Sequence, residues 1–256
     1  MGVMLEPKFN LNRDTIEKDI YVRDPYFGDN PDFESHQVLY RKVGRTLVTL
    51  IENTEHIGFR PEEAEIVERI FVEMMVIDYM IDTMKLEKSK VVDMVVHANS
   101  PAATFNNSLS HLRKLIEKNG DYGAYIQSAT RAISYSGIDS IKDRHREALH
   151  LGKTIALAVC KDDVGKRSRL VNILGILSSF GNFIDDVMDY KKDSKNISWA
   201  TGRMGVVLRE VRKLYEKSEY ANRYLFTGAL IALSIYGRRL LPSFLKQTPT
   251  FESKLD

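Results

Sequence analysis

From residue 35 to residue 241 apolar residues recur at intervals of three and four, and the breaks between runs fall at Pro61, Pro101, Gly120, Gly137, Gly165 and Pro242. That period is the signature of amphipathic helices, whose buried stripe advances by 3.6 residues per turn. No run alternates apolar and polar residues between hairpin turns, and there is no internal repeat or low-complexity segment. The pattern predicts helices over 35–56, 61–88, 99–118, 121–136, 139–160, 166–192, 203–217 and 220–241. In the first, Val38, Val43, Leu47, Leu50 and Ile51 form the expected buried stripe. The second opens with Pro61 in its first turn and acids behind it, and Asn99 or Ser100 is the expected N-cap of the third. The expectation is an all-α fold with one domain over 35–241. Residues 1–34, with their "DPYFGDNPD", read as an arm and 242–256 as a tail.

The chain has 256 residues, enough for a sizeable core, and a net charge of +2, too small for a field that would draw nucleic acid or an anionic membrane. Its single cysteine, Cys160, excludes an internal disulfide and suits a reducing compartment. The start "MGVMLEPKFN" has neither the basic and apolar regions of a signal peptide nor the Ser or Thr of a myristoylation site. The apolar stretch at 225–236 is shorter than the ~20 residues of a membrane-spanning helix. A cytoplasmic protein without a transmembrane segment is expected.

The chemistry concentrates in acids that follow apolar runs. In "VIDYMID" Asp78 and Asp82 stand four apart and share one helix face. In "SSFGNFIDDVMDYKKDSKN" Asp185, Asp189 and Asp193 continue such a line, with Asp186 about a quarter-turn away. Carboxylates on an apolar face are costly unless something neutralises them. Mg2+ is a hard cation that takes one or two carboxylates, water and substrate phosphates, so two acidic faces across a cavity would suit a metal–diphosphate cluster. Solvated acidic stripes are the alternative, and for Asp78 and Asp82 taken alone the better one. The apolar lead-in favours a cation at Asp185–Asp193.

Other chemistries have less to stand on. No two histidines are three or four apart, which disfavours zinc. There is no glycine-rich phosphate loop and no G-x-S-x-G elbow. The basic clusters "YRKVGR" (40–45) and "KDDVGKRSR" (161–169) read as solvated helix ends before they read as phosphate contacts.

"FGNFIDDVMDYKKD" (180–193) matches all four acids of F-Q-x-x-D-D-x-x-D-x-x-x-D, and "KTIAL" (153–157) matches K-T-[AG]-x-L upstream. "DYMID" keeps the first and last acids of D-D-x-x-D, with Tyr79 in place of the second. In these features the chain resembles the trans-isoprenyl diphosphate synthases, the polyprenyl synthetase branch of the class I isoprenoid synthase superfamily. The resemblance runs from about residue 35 to 200, most specifically over 150–193. It departs from the family in two further places. "EKS" (87–89) stands where the family has a pair of arginines and a glycine, and G-K-R-x-R-P is only echoed by Arg41, Lys42 and Arg45.

The resemblance implies an antiparallel helical bundle around an apolar cavity, with the two acidic faces opposed at its mouth. Asp78, Asp82, Asp185, Asp186, Asp189 and Asp193 would hold Mg2+. Lys153, Thr154, Lys192, Arg203, Arg41, Lys42 and Arg45 would contact diphosphate, and Asp78, Asp82, Asp185 and Lys153 would be catalytic. Phe71, Met74, Met75, Phe105 and Phe180 would line the cavity or pack the core. The implied activity is prenyltransferase chain elongation of an allylic prenyl diphosphate by a homodimer. Three alternatives remain: a terpene cyclase-like enzyme using one allylic diphosphate, a non-catalytic subunit of a synthase partner, and an unrelated helical scaffold whose acid pairs do not face each other.

Overall fold

Seven α-helices, with no strand among the described residues, follow from this periodicity. A computed structural model describes residues 24–27, 31–136 and 140–189, with residues 205 and 209; at 180–181 and 183–189 it is the backbone that is described. The helices are α1 (Pro31–Glu55), α2 (Pro61–Asp78), α3 (Lys88–His97), α4 (Ala103–Asn119), α5 (Tyr122–Tyr135), α6 (Ile141–Val159) and α7 (Val164–Asp189), with a π-helical turn, Tyr79–Thr83, after α2. The all-α expectation holds over this range. The helices expected at 203–217 and 220–241, and the tail, lie outside the described residues.

Three local expectations need correction. The buried face of α1 is Phe33, Gln37, Gly44, Val48, Ile51 and Glu55, whereas Val38, Leu39, Val43 and Leu50 are exposed. Gln37, Gly44 and Glu55 carry no apolar signal, so the expected stripe holds at Ile51 and half-buried Leu47 but strays into solvent at Val38, Val43 and Leu50. The helix expected over 61–88 breaks early. Met84 N–H donates to the Tyr79 carbonyl at 3.0 Å, a bond to the fifth residue back, and Lys85 turns left-handed at φ 55°. α3 then forms from "KSKVVDMVVH", a helix the periodicity did not separate, and buries Val91 and Val95.

The expected arm also reaches the core. Phe27 and Phe33 are buried and stacked with ring centroids 5.2 Å apart, and Tyr79 meets Phe33 edge-on at 5.0 Å. α4 starts at Ala102 with no side-chain cap of its own, so neither Asn99 nor Ser100 fills that role. Asp24 supplies one from far along the chain: its Oδ2 accepts from Thr104 N–H at 2.9 Å and its Oδ1 from Tyr26 N–H at 3.1 Å. Burial pushes the Asp24 carboxyl up, but the bonds from Thr104 and Tyr26 outweigh it and hold the group below the ordinary carboxylate range.

α2 lies at the centre, against α1, α4 and α6, while α5, α6 and α7 pack in chain order through short connections. Two apolar clusters share α2. One joins Ile51, Ile66, Ile155, Leu170 and Leu174; the other gathers Phe33, Met80, Val91, Phe105 and Ile133 around the last turns of α2. The α6–α7 contact is backbone on backbone at Gly152, where a Cβ would lie 2.5 Å from Leu174 C and 2.6 Å from Gly175 N. Gly152→Ala is therefore expected to lower unfolding free energy by about 2 kcal/mol or more, because two helix backbones must separate. Ala98 ends α3 at φ 48°, a left-handed position that glycine occupies without strain. Ala98→Gly should raise stability by about 1 kcal/mol. Urea titrations of both variants check the two signs.

Candidate functional site

The directions of α2 and α7 decide where the acids emerge. Their first turns are tied together: Lys166 Nζ donates to Glu63 Oε2 at 2.9 Å. Beside them Arg169 Nη2 donates to the Glu55 carbonyl at 2.9 Å, bringing the end of α1 to the start of α7. From that level α2 rises about 22 Å to Asp78 and α7 about 28 Å to Asp185, at 1.5 Å per residue. α6 holds the upper part of α7 through a contact of 3.3 Å between His145 Nδ1 and Ser179 Oγ. The end of α5, which leads into α6, contributes Ile133 to the cluster around Met80. Both acid-bearing helix ends thus lie toward the same end of the bundle.

Asp78 is half-buried at the end of α2, and Asp82 is exposed in the π turn. Asp185, Asp186 and Asp189 lie on the last turns of α7, where register puts Asp185 and Asp189 on one face and Asp186 about 100° away. Their side chains, with Asp193, Lys192 and Arg203, lie outside the described residues. Among the described residues no three His, Cys, Asp or Glu side chains form a metal-binding group. The donor chemistry at Asp78 and Asp82 does fit Mg2+, which needs only one or two carboxylates from the protein.

The basic residues are placed differently. Arg45 forks onto Glu68, Nε to Oε1 at 2.8 Å and Nη2 to Oε2 at 3.1 Å, with Arg41 Nε 4.0 Å from the same carboxylate. Lys42 is exposed. Thr154 is buried, its hydroxyl donating to the His150 carbonyl at 2.7 Å. Lys153 is exposed along with Lys142 and Arg146, on the solvent face of α6. Ile155, about 200° round the helix, is in the core. The structure therefore brings Lys153 to His150, which Arg131 also approaches. Burial holds the His150 imidazole below its ordinary value, and the charges of Arg131 and Lys153 push it the same way. Phe71, Met74, Met75 and Phe105 pack in the two core clusters, and the Phe180 side chain lies outside the described residues.

Sequence reasoning passed over three buried acids on α2. Glu63, Glu68 and Glu73 stand five apart along α2, the last two beside the apolar pairs Ile66–Val67 and Met74–Met75, and that setting was the available signal. Glu63 meets Lys166 and Arg60, Glu68 meets Arg45, and Glu73 accepts from the Ser108 hydroxyl of α4. Burial, then the charge of Glu73, raises the Tyr125 hydroxyl well above the ordinary phenol range.

Comparison with known protein families, with curated proteins and with solved structures returned no match to the chain. No described helix is long and apolar enough to cross a membrane.

Burial pushes the Glu63 carboxyl up, but bonds from Lys166, Arg60 N–H and the Arg60 guanidinium hold it below its ordinary value of 4.5. A lowered carboxyl contributes stability that is complete above the unfolded-state value and is lost as pH falls through the folded one. Unfolding free energy should therefore fall from about pH 5 downward. Glu63→Gln should cost about 2 kcal/mol at neutral pH and flatten that slope. Urea titrations across the pH range would show an unchanged slope if Glu63 carried none of it.

Proposed function

We propose that this chain is a Mg2+-dependent transferase of the class I isoprenoid synthase type, acting on allylic prenyl diphosphates in isoprenoid chain elongation. The observation that carries the reading is the common end of the bundle reached by α2 and α7, each bearing acids in its last turns. The four-acid match over 180–193 adds the chemistry. Asp78 and Asp82 on one side, and Asp185, Asp186, Asp189 and Asp193 on the other, would hold the metal. Mg2+, when bound, neutralises a diphosphate and makes it a leaving group. The acids fix where the diphosphate sits, and apolar surroundings would keep water from the allylic cation it leaves behind. A cytoplasmic homodimer goes with this reading.

A second reading, a cyclase-like enzyme using a single allylic diphosphate, is favoured by one observation. Arg45 and Arg41, the counterparts of the grip on the second substrate, are engaged by Glu68.

Calorimetric titration with geranyl diphosphate should give Mg2+-dependent binding that Asp185→Ala with Asp189→Ala abolishes, helical content being unchanged by circular dichroism. Equal binding by the double variant would remove the metal-site assignment. Elongated product on addition of isopentenyl diphosphate supports the transferase, and pyrophosphate release without elongation supports the second reading. Absence of binding to the parent chain would leave the non-catalytic subunit.

A further inference from the structure

We propose that the outward face shared by α5 and α6 is a separate anion site, where Arg131, His150 and Lys153 take a phosphate or diphosphate group. The solvent face of α6 carries Lys142, Arg146 and Lys153, all exposed, with His150 beside them. α5 lies against that edge: Ser128 Oγ donates to the His150 carbonyl at 3.0 Å. Arg131 and Tyr135, three and seven residues on, continue the same face of α5.

Tyr135 lies flat on the His150 ring, centroids 5.9 Å apart at 13°, and the Arg146 guanidinium sits 5.7 Å over Tyr135. The imidazole is held in place by this stack. Its Nδ1 is buried with no hydrogen-bond partner among the described residues, which favours the tautomer carrying its proton on Nε2, a donor toward solvent.

The charge on this face is only partly neutralised. Asp143 is taken by Arg146 at 2.9 Å, and Glu147, the nearest acid one turn back on α6, is taken by Arg144 at 2.8 Å. No ion pair among the described residues uses Arg131, Lys142 or Lys153. α7 packs on the Gly152 side of α6, about 200° round the helix from His150. His150 is thus faced by Arg131 and Tyr135 from α5 and by Arg146 and Lys153 from its own helix.

A phosphate dianion suits these donors: a guanidinium fork, an ammonium and an imidazole N–H against oxygens that carry two charges. His150 becomes its reporter. Burial, and after it the like charges of Arg131 and Lys153, now hold its titration low, and an anion among those cations would reverse the sign of the charge around it.

The test follows the histidine resonances of the full chain by NMR across pH, without Mg2+ and at ionic strength fixed with sodium chloride. Inorganic pyrophosphate at about 10 mM is expected to move the His150 midpoint up by about one pH unit, the other histidines following only the salt control. Arg131→Gln with Lys153→Gln, both at exposed positions, should raise the midpoint before any anion is added and abolish the response. Asp185→Ala with Asp189→Ala should leave the response intact, which separates this site from the acids of α2 and α7. Inorganic phosphate as a second probe tells a monoester site, which responds to both, from a diphosphate site, which responds to pyrophosphate alone. A His150 midpoint that does not move, that moves equally in the Arg131/Lys153 variant or with chloride alone, or that stops moving in the Asp185/Asp189 variant overturns the proposal.

Discussion

A carboxylate carried into an apolar core must be answered by a partner, and α2 carries three. Five residues on a helix advance 500°, so Glu63, Glu68 and Glu73 point about 140° apart and meet different neighbours. Glu63 meets α7, Glu68 meets α1 and Glu73 meets α4. Apolar packing alone tolerates rotation and sliding of a helix, because one aliphatic contact substitutes for another. Three charged or hydrogen-bonded groups do not: turning α2 by one residue would strand all of them. Their worth lies less in net stability, since ion pairs out of water recover little beyond their desolvation cost, than in the single setting they allow. Asp78 follows Glu73 by five residues, so the setting that satisfies the glutamates also fixes where the first acidic pair emerges.

The same setting is reinforced where side chains are missing. A Cβ on Gly44 would lie 2.9 Å from Glu68 Cα, so α1 touches α2 at the very residue its Arg45 engages. Gly152 lets α6 reach the backbone of α7 one residue before Lys153. That contact turns Lys153 to the solvent side and leaves it with Arg131 and His150. The solvent-side placement of Lys153, the lysine that the resemblance groups with the acids, thus follows from helix packing.

The parts legible in the sequence were those written in apolar spacing. α4, α5, α6 and α7 lie close to where three- and four-residue periodicity put them, because their buried faces are largely apolar, and α2 starts at Pro61 as expected but ends ten residues early. α1 was found with its stripe partly misplaced: Ile51 and Leu47 do face the core, but the inner face also uses Gln37, Gly44 and Glu55, which carry no apolar signal. The cap of α4 was unreadable because Asp24 is local to Thr104 only after folding. At the site, spacing put Asp78 and Asp82 on one helix, whereas α2 ends at Asp78 and Asp82 stands in the π turn that follows; Asp185 and Asp189 both lie on α7. Spacing could not foresee that Arg45 would be spent on Glu68, since both residues look equally solvent-bound in isolation.

Tyr79 shows how the first acidic pair and the N-terminal segment are bound together. It stands where the resembled motif has a second aspartate, and its ring is in edge-on contact with both Phe33 and Phe27. Phe27 belongs to the turn that carries Asp24, and Asp24 caps α4. The π turn that begins at Tyr79 widens the helix there and sets Asp82 out in solvent while Met80 and Ile81 stay in the core. An aspartate at 79 would lose both ring contacts and set a carboxylate against Phe27 and Phe33, where nothing among the described residues would answer it. Tyr79 is thus tied to the packing of Phe27 and Phe33 at the end of α2, and Asp78 and Asp82 flank that contact. Asp78 and Asp82 therefore cannot move without disturbing the ring between them, which packs on Phe27 and Phe33.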